Sequence, residues 1–89
     1  MELYEINPAT FKAGVGEIQV LMNSETLTYY EATGVATRIL ELLELDPSSE
    51  NLICETLMSE FDVSEEDCTL AVKAFLKDAL RSGIVRVSQ

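Results

Sequence analysis

LTYYEATGVATRILELLE, residues 27–44, decides the reading of the chain, because within 18 positions the hydrophobic pattern changes its period. Leu27, Tyr29 and Glu31 alternate with Thr28 and Tyr30 as in a strand. Ala36, Ile39, Leu40 and Leu43 then recur at the i, i+3, i+4, i+7 spacing of a helix face, with Thr33 as a plausible N-cap. Strands are expected before this junction and helices after it.

Working back, Glu17 to Met22 reads as a second strand, with Ile18, Val20 and Met22 on one side of a period-2 pattern. Asn23-Ser24-Glu25-Thr26 has turn chemistry, which joins it to the third strand over Leu27 to Glu31. Gly14-Val15-Gly16 suits a reversal after a short first strand at Thr10 to Ala13. Residues 1–9, ending in the Asn7-Pro8 turn signal, read as a loose or edge-lying arm. Both sides of the third strand carry a large side chain, so the pattern leaves open which face meets the core.

Working forward, Asp46-Pro47 stops the first helix and Ser48 is expected to cap the second, whose apolar stripe is Ile53, Cys54, Leu57, Met58 and Phe61. The third helix has the firmest limits. Ser64 as N-cap, Asp67 at N3, Val63 against Cys68 as an apolar staple and Gly83 at C′ bound it. Its stripe is Cys68, Val72, Phe75, Leu76, Ala79 and Leu80, and Lys73, Lys77 and Arg81 run along the opposite side. Ile84 to Val87 alternates again as a short terminal strand or extension. Three strands followed by three helices predict an α+β fold in one domain.

Composition narrows the function. The 89 residues carry 6 Lys and Arg against 16 Asp and Glu, a formal charge of −10. Between Ile39 and Val72 there is no cation at all. Such a field repels nucleic acid and anionic membranes, so neither is expected as a partner. No apolar run approaches the roughly 18 residues of a membrane span, which points to a soluble, cytosolic protein. Without histidine, a phosphate-binding glycine loop, or a Ser or Cys with a base partner, enzymatic chemistry, a metal and a cofactor are not expected. Cys54 and Cys68 fall at helical core spacing and read as reduced packing residues.

The run LMNSETLTYYEATGVATRILELL, residues 21–43, resembles the PqqD-like domains, or precursor-peptide recognition elements, whose pattern is close to LLDxxTGxYYxLNxxGxxIWxLL. Leu21 and Met22 match the aliphatic pair, Asn23 the turn acid, Tyr29-Tyr30 the aromatic pair, and Ile39, Leu42 and Leu43 the helical sites. Phe61-Asp62-Val63, then Val72, Phe75 and Leu76, then Gly83-Ile84-Val85 continue the likeness to about residue 87. The chain departs at Ala32-Thr33 for Leu-Asn, Leu40 for Trp, Leu27 for the turn Gly, and Ala71 for an acid.

The resemblance implies a winged helix-turn-helix-like domain that does no chemistry. It implies binding of the leader segment of a ribosomally made precursor peptide and delivery to a leader peptidase or modifying enzyme. The leader is expected to add as an antiparallel strand along Leu27, Thr28, Tyr29, Tyr30 and Glu31, with apolar side chains in a cleft walled by Val72, Phe75, Leu76 and Ala79 of the third helix. Lys73, Lys77 and Arg81 would either meet acids of the leader or form a solvated face. The stand-alone length and the Tyr-Tyr-Glu run are most like the discrete recognition proteins of lasso-peptide pathways. A quinone-cofactor peptide chaperone serving a radical-SAM enzyme is the alternative in the same class, and a winged-helix DNA-binding regulator the one outside it. An open strand edge also predicts a homodimer in peptide-free protein.

Overall fold

The computed structural model describes residues 2–88. In order, the elements are β1 (Tyr4–Ile6), β2 (Thr10–Val15), β3 (Ile18–Asn23), β4 (Tyr29–Ala32), α1 (Val35–Leu45), α2 (Glu50–Glu60), α3 (Glu65–Arg81) and β5 (Val85–Val87). Strands β2, β3 and β4 form an antiparallel sheet in that order, and three helices follow, the α+β arrangement expected. A second, two-stranded sheet joins β1 to β5.

That second sheet corrects the N-terminal arm. Tyr4, Glu5 and Ile6 pair with Val87, Arg86 and Val85, and a 2.6 Å ion pair links Arg86 to Glu5. Tyr4 also exchanges two backbone bonds with Ser48, ahead of α2. The segment is tied down by partners far along the chain, which no local pattern reveals.

In the main sheet, the first reversal falls at Gly16-Glu17, with Gly16 at φ 62, while Gly14 continues β2 opposite Gln19. Glycine with positive φ at the first position of a two-residue turn matches the right-handed twist of the strands. The register aligns Phe11, Met22 and Tyr29 across one face, and Lys12, Leu21 and Tyr30 across the other. Leu21 is 1 % exposed, whereas Phe11 and Tyr29 are 64 % and 66 % exposed. The Ile18, Val20, Met22 side is therefore the outer face, and Leu21 with Asn23 faces the core.

Asn23 ties the second reversal to the helices. Its amide oxygen accepts from the backbone N–H groups of Glu25 (2.8 Å) and Thr26 (3.1 Å), and its NH2 donates to the Gly83 carbonyl (2.8 Å). Gly83, at φ 75, closes α3 in a Schellman motif: its N–H bonds the Leu80 carbonyl and that of Ile84 the Ala79 carbonyl. A Cβ on Gly83 would lie 2.5 Å from the Asn23 nitrogen. The end of α3 thus sits directly on the β3–β4 turn.

Leu27 in that turn has φ 62, left-handed backbone that costs a non-glycine residue about 1–2 kcal/mol. Its side chain is 68 % exposed, so burial does not compensate. Leu27→Gly should raise stability by about 0.5–1 kcal/mol, read as a higher urea midpoint at unchanged slope. An unchanged or lower midpoint would show that the Leu27 side chain stabilises the fold despite its exposure.

The helices close one core. Ile39, Leu40 and Leu43 of α1, Ile53 and Leu57 of α2, and Val72, Phe75, Leu76 and Ala79 of α3 pack with Leu21, Ile84 and Val85. Caps differ from expectation in two places. Ser49 rather than Ser48 caps α2, accepting from the Leu52 N–H at 3.2 Å, because Ser48 is committed to Tyr4. Gly34 rather than Thr33 is the N-cap of α1, with no side-chain bond. Ser64 caps α3 through the Asp67 N–H at 3.1 Å, as its sequence predicts.

Candidate functional site

Strand β4 lies at the edge of its sheet. The Asn23 N–H bonds the Thr28 carbonyl at 2.9 Å, and Leu21 stands opposite Tyr30. In an antiparallel ladder, backbone bonding alternates residue by residue. Thr28, Tyr30 and Ala32 therefore turn their backbone groups toward β3. The N–H and C=O groups of Tyr29 and Glu31 point away from the sheet.

Helix α3 runs beside that edge in the opposite direction to β4, as three contacts establish. The Thr28 hydroxyl donates to the Ser82 carbonyl just past the end of α3. The Tyr30 and Phe75 rings meet edge to face in the middle, centroids 5.8 Å apart at 88°. Beyond the other end of β4, Val35 faces Asp67, Cys68 and Ala71 across a cavity. The edge of β4 and the facing side of α3 thus bound a candidate groove, with the half-buried Tyr30 ring on the strand side and the Phe75 ring, 5 % exposed, packed beneath it.

Helical spacing puts Asp67, Ala71, Ala74, Asp78 and Arg81 on one side of α3, the side toward the candidate groove. Ala71 and Ala74 are exposed and short. Burial raises the Tyr30 phenol above its usual pKa of 10.0, with the Asp78 carboxylate adding to it. The floor is thus an uncharged aromatic pair with a polar tip.

The cavity at the far end measures about 210 Å3 and is walled by Val35, Leu57, Phe61, Val63 and Ala71, with Asp67 at its side. For comparison, a cavity of about 150 Å3 accommodates benzene. Groove and cavity together offer what an extended peptide needs: free main-chain donors and acceptors, an apolar floor, and a hole for one large side chain.

The predicted site residues divide. Tyr30, Phe75 and the backbone of Tyr29 and Glu31 come together, with Thr28 pinning one end and exposed Leu27 beside it. Val72, Leu76 and Ala79 are buried in the core and support the groove from behind. Lys73 leaves it altogether, forming a 3.2 Å ion pair with Glu50 of α2. Lys77 and Arg81 make no ion pair among the described residues. Sequence reasoning did not pick out Ala71, Ala74, Asp78 or the cavity wall; exposed apolar Phe61 and Val63 on either side of Asp62 were the available signal. Cys54 and Cys68 are free and buried where α2 meets α3, and burial pushes the Cys54 thiol up.

Residues 19–85, about three quarters of the chain, match the model of the coenzyme PQQ synthesis protein D (PqqD) family. The chain belongs to the PqqD family. The matched span of this PqqD-family protein runs from β3 into β5 and so contains the open edge, the groove and the cavity. Two solved structures share its fold. One is TbiB1 in complex with the TbiA(beta) leader peptide, 23 % identical at a TM-score of 0.80, covering 92 % of this chain and 94 % of that one. The other is a lasso peptide synthetase B1 complexed with the leader peptide, 19 % identical at 0.77, covering 93 % and 96 %. No curated protein sequence matches.

Proposed function

We propose that this PqqD-family protein binds the leader segment of a ribosomally made precursor peptide as an added antiparallel strand on β4, without catalysing a reaction. The observation that carries the reading is the open edge of β4 lying against a helix with an apolar floor and an end cavity. The protein would then present the leader, in the cytoplasm, to a leader peptidase or modifying enzyme. Both structural neighbours are described as leader-peptide complexes, one of them of a lasso peptide synthetase, which favours lasso-peptide biosynthesis as the setting. The family's own description favours a second setting, coenzyme PQQ synthesis, where the peptide would pass to a radical-SAM enzyme.

The energetics suit a reversible carrier. Tyr29 and Glu31 offer up to four main-chain bonds at a net ~0.5–1.5 kcal/mol each, and one side chain in the cavity adds ~1.5–3 kcal/mol. Ordering the peptide takes back ~2–5 kcal/mol or more, and association itself has a further cost. Micromolar affinity therefore requires both the bonds and the anchor. DNA binding fits less well: one of the three α3 cations is already paired, and the chain carries a charge of −10.

The test is a fluorescence-anisotropy titration with the labelled leader of the precursor encoded beside this gene. Saturable binding at micromolar or tighter is expected. The same samples, followed by light scattering, should show any peptide-free dimer through β4 dissociating as leader is added. Folded protein that binds no neighbouring leader would remove the reading.

A further inference from the structure

Cys54 of α2 and Cys68 of α3 are the chain's two cysteines, and the fold brings them together. The Cys68 thiol donates to the Cys54 carbonyl at 3.8 Å, and it stands near enough to the Cys54 sulfur to add to the rise that burial causes in that thiol's pKa. Two openings flank the pair. On one side, Cys54 lines a recess of about 350 Å3 between the helices, with Asn51, Glu55, Met58, Glu65 and Thr69 around it. On the other, Cys68 lines the cavity proposed for the leader's anchor, together with Leu57 of α2 and Ala71 of α3. The sulfurs sit in the seam between a way in from solvent and that cavity.

The recess selects what can reach Cys54. Its charged lining is Glu55 and Glu65, with no Lys or Arg. A negative mouth repels anionic reagents and admits neutral or cationic ones. We propose that Cys54 and Cys68 are a modification site, a dithiol that small uncharged or cationic disulfides oxidise to a disulfide joining α2 to α3, and that this bond narrows the leader cavity. Intracellular disulfides of this kind are transient and sensing rather than structural. The narrowing, unlike the disulfide, rests on the leader-binding reading above.

The exchange has two steps. The deprotonated Cys54 sulfur attacks one sulfur of the reagent, whose S–S bond breaks, and the other half leaves as a thiolate that takes up a proton. The Cys68 sulfur, giving up its own proton, then attacks Cys54 in the mixed disulfide, forming the Cys54–Cys68 bond and releasing the second half as a thiol. The protein loses two hydrogens and the reagent gains them. Burial keeps Cys54 protonated, so the first step is slow, and contact with Cys68 makes the second fast. Bonded sulfurs stand closer than two thiols in contact, so the bond draws Cys68 toward α2. Leu57 and Ala71 belong to the two helices drawn together, and the space between them shrinks.

The test is oxidation of folded, reduced protein by cystamine, a dication, and by glutathione disulfide, a dianion, followed by intact mass. Cystamine should give a product lighter by two hydrogens with no cysteamine retained, about tenfold or more faster than glutathione disulfide once each rate is scaled to that with free cysteine. The melting temperature of that product should rise by about 10 °C, since the bond closes a loop of about 15 residues. Cys68→Ala should stop at a cysteamine adduct on Cys54, and Cys54→Ala should stay unmodified. Wild type that keeps both thiols free, or that carries separate adducts on both, overturns the site; equal scaled rates overturn the recess as the way in. Leader titration then reads the cavity, with the oxidised form expected to bind about three- to tenfold more weakly than the reduced form. Equal affinities overturn the narrowing while the disulfide stands. Reduced protein that binds no leader overturns the function proposed above and the narrowing with it, and the modification site is then decided by mass and melting temperature.

Discussion

Glu31→Pro should leave the protein folded and weaken leader binding by thirtyfold or more. The backbone N–H of Glu31 points out of the sheet, so proline removes no bond of the β3–β4 ladder. Tyr30 before it is already extended, as a residue preceding proline must be. Edge strands tolerate proline for this reason, and natural sheets use it to refuse a further strand. The cost to the fold is confined to the change in φ, about 1 kcal/mol, and should appear as a small shift in melting temperature.

The peptide meets a different situation. It loses one main-chain donor outright, and the ring holds it away from the neighbouring groups of Tyr29. Losing two bonds at ~0.5–1.5 kcal/mol each, together with poorer seating of the cavity anchor, amounts to roughly 2–3 kcal/mol. Anisotropy titration of wild type and variant measures this directly. Tyr30→Pro is the matched control: it deletes a bond directed at Leu21 and should unfold the sheet. Glu31→Pro binding within threefold of wild type would show that the peptide does not use the main chain of β4.

The same parity explains what could be read in advance. Tyr29-Tyr30 singled out the strand proposed to take the peptide because one of two adjacent strand tyrosines must leave the core, but the sequence did not say which. Both sheet faces are apolar: Phe11, Met22 and Tyr29 line the outside as Leu21, Tyr30 and Ala32 line the inside. A period-2 pattern carries no sign when both faces are hydrophobic. The helices were more legible, since 3.6-residue stripes and the Ser64 and Gly83 stops are local signals that the structure keeps. The pairing of β1 with β5 was invisible because its partners lie about 80 positions apart. The expected cleft wall on α3 meets a related limit. A helical stripe identifies the buried face, and Val72, Leu76 and Ala79 are buried; beside that stripe lie the short, exposed Ala71 and Ala74, which hydrophobic periodicity passes over.

Phe75 sits where the two faces of α3 meet, and its truncation should affect stability and binding together. The ring is 5 % exposed and packs edge to face on Tyr30. Phe75→Ala leaves a cavity between α3 and the sheet, a change that typically costs about 3–5 kcal/mol. A domain of 89 residues has a total stability of about 4–13 kcal/mol at 0.05–0.15 kcal/mol per residue. The substitution thus removes a large share of it, and the melting temperature should fall by 12 °C or more at ~4–8 °C per kcal/mol. Phe75→Leu refills most of the volume and should cost less than about 1.5 kcal/mol. The leucine variant, compared with wild type where both are folded, then isolates the floor of the groove. Its branched side chain cannot hold the Tyr30 ring edge to face, so the leader should bind several-fold more weakly although the core is intact. A leucine variant that binds as wild type does would confine Phe75 to packing and shift the floor to Tyr30 alone. If Phe75→Ala instead lowered stability by less than 1 kcal/mol, α3 would not be anchored to the sheet through this ring, and the groove itself would lack the rigid wall on which strand addition depends.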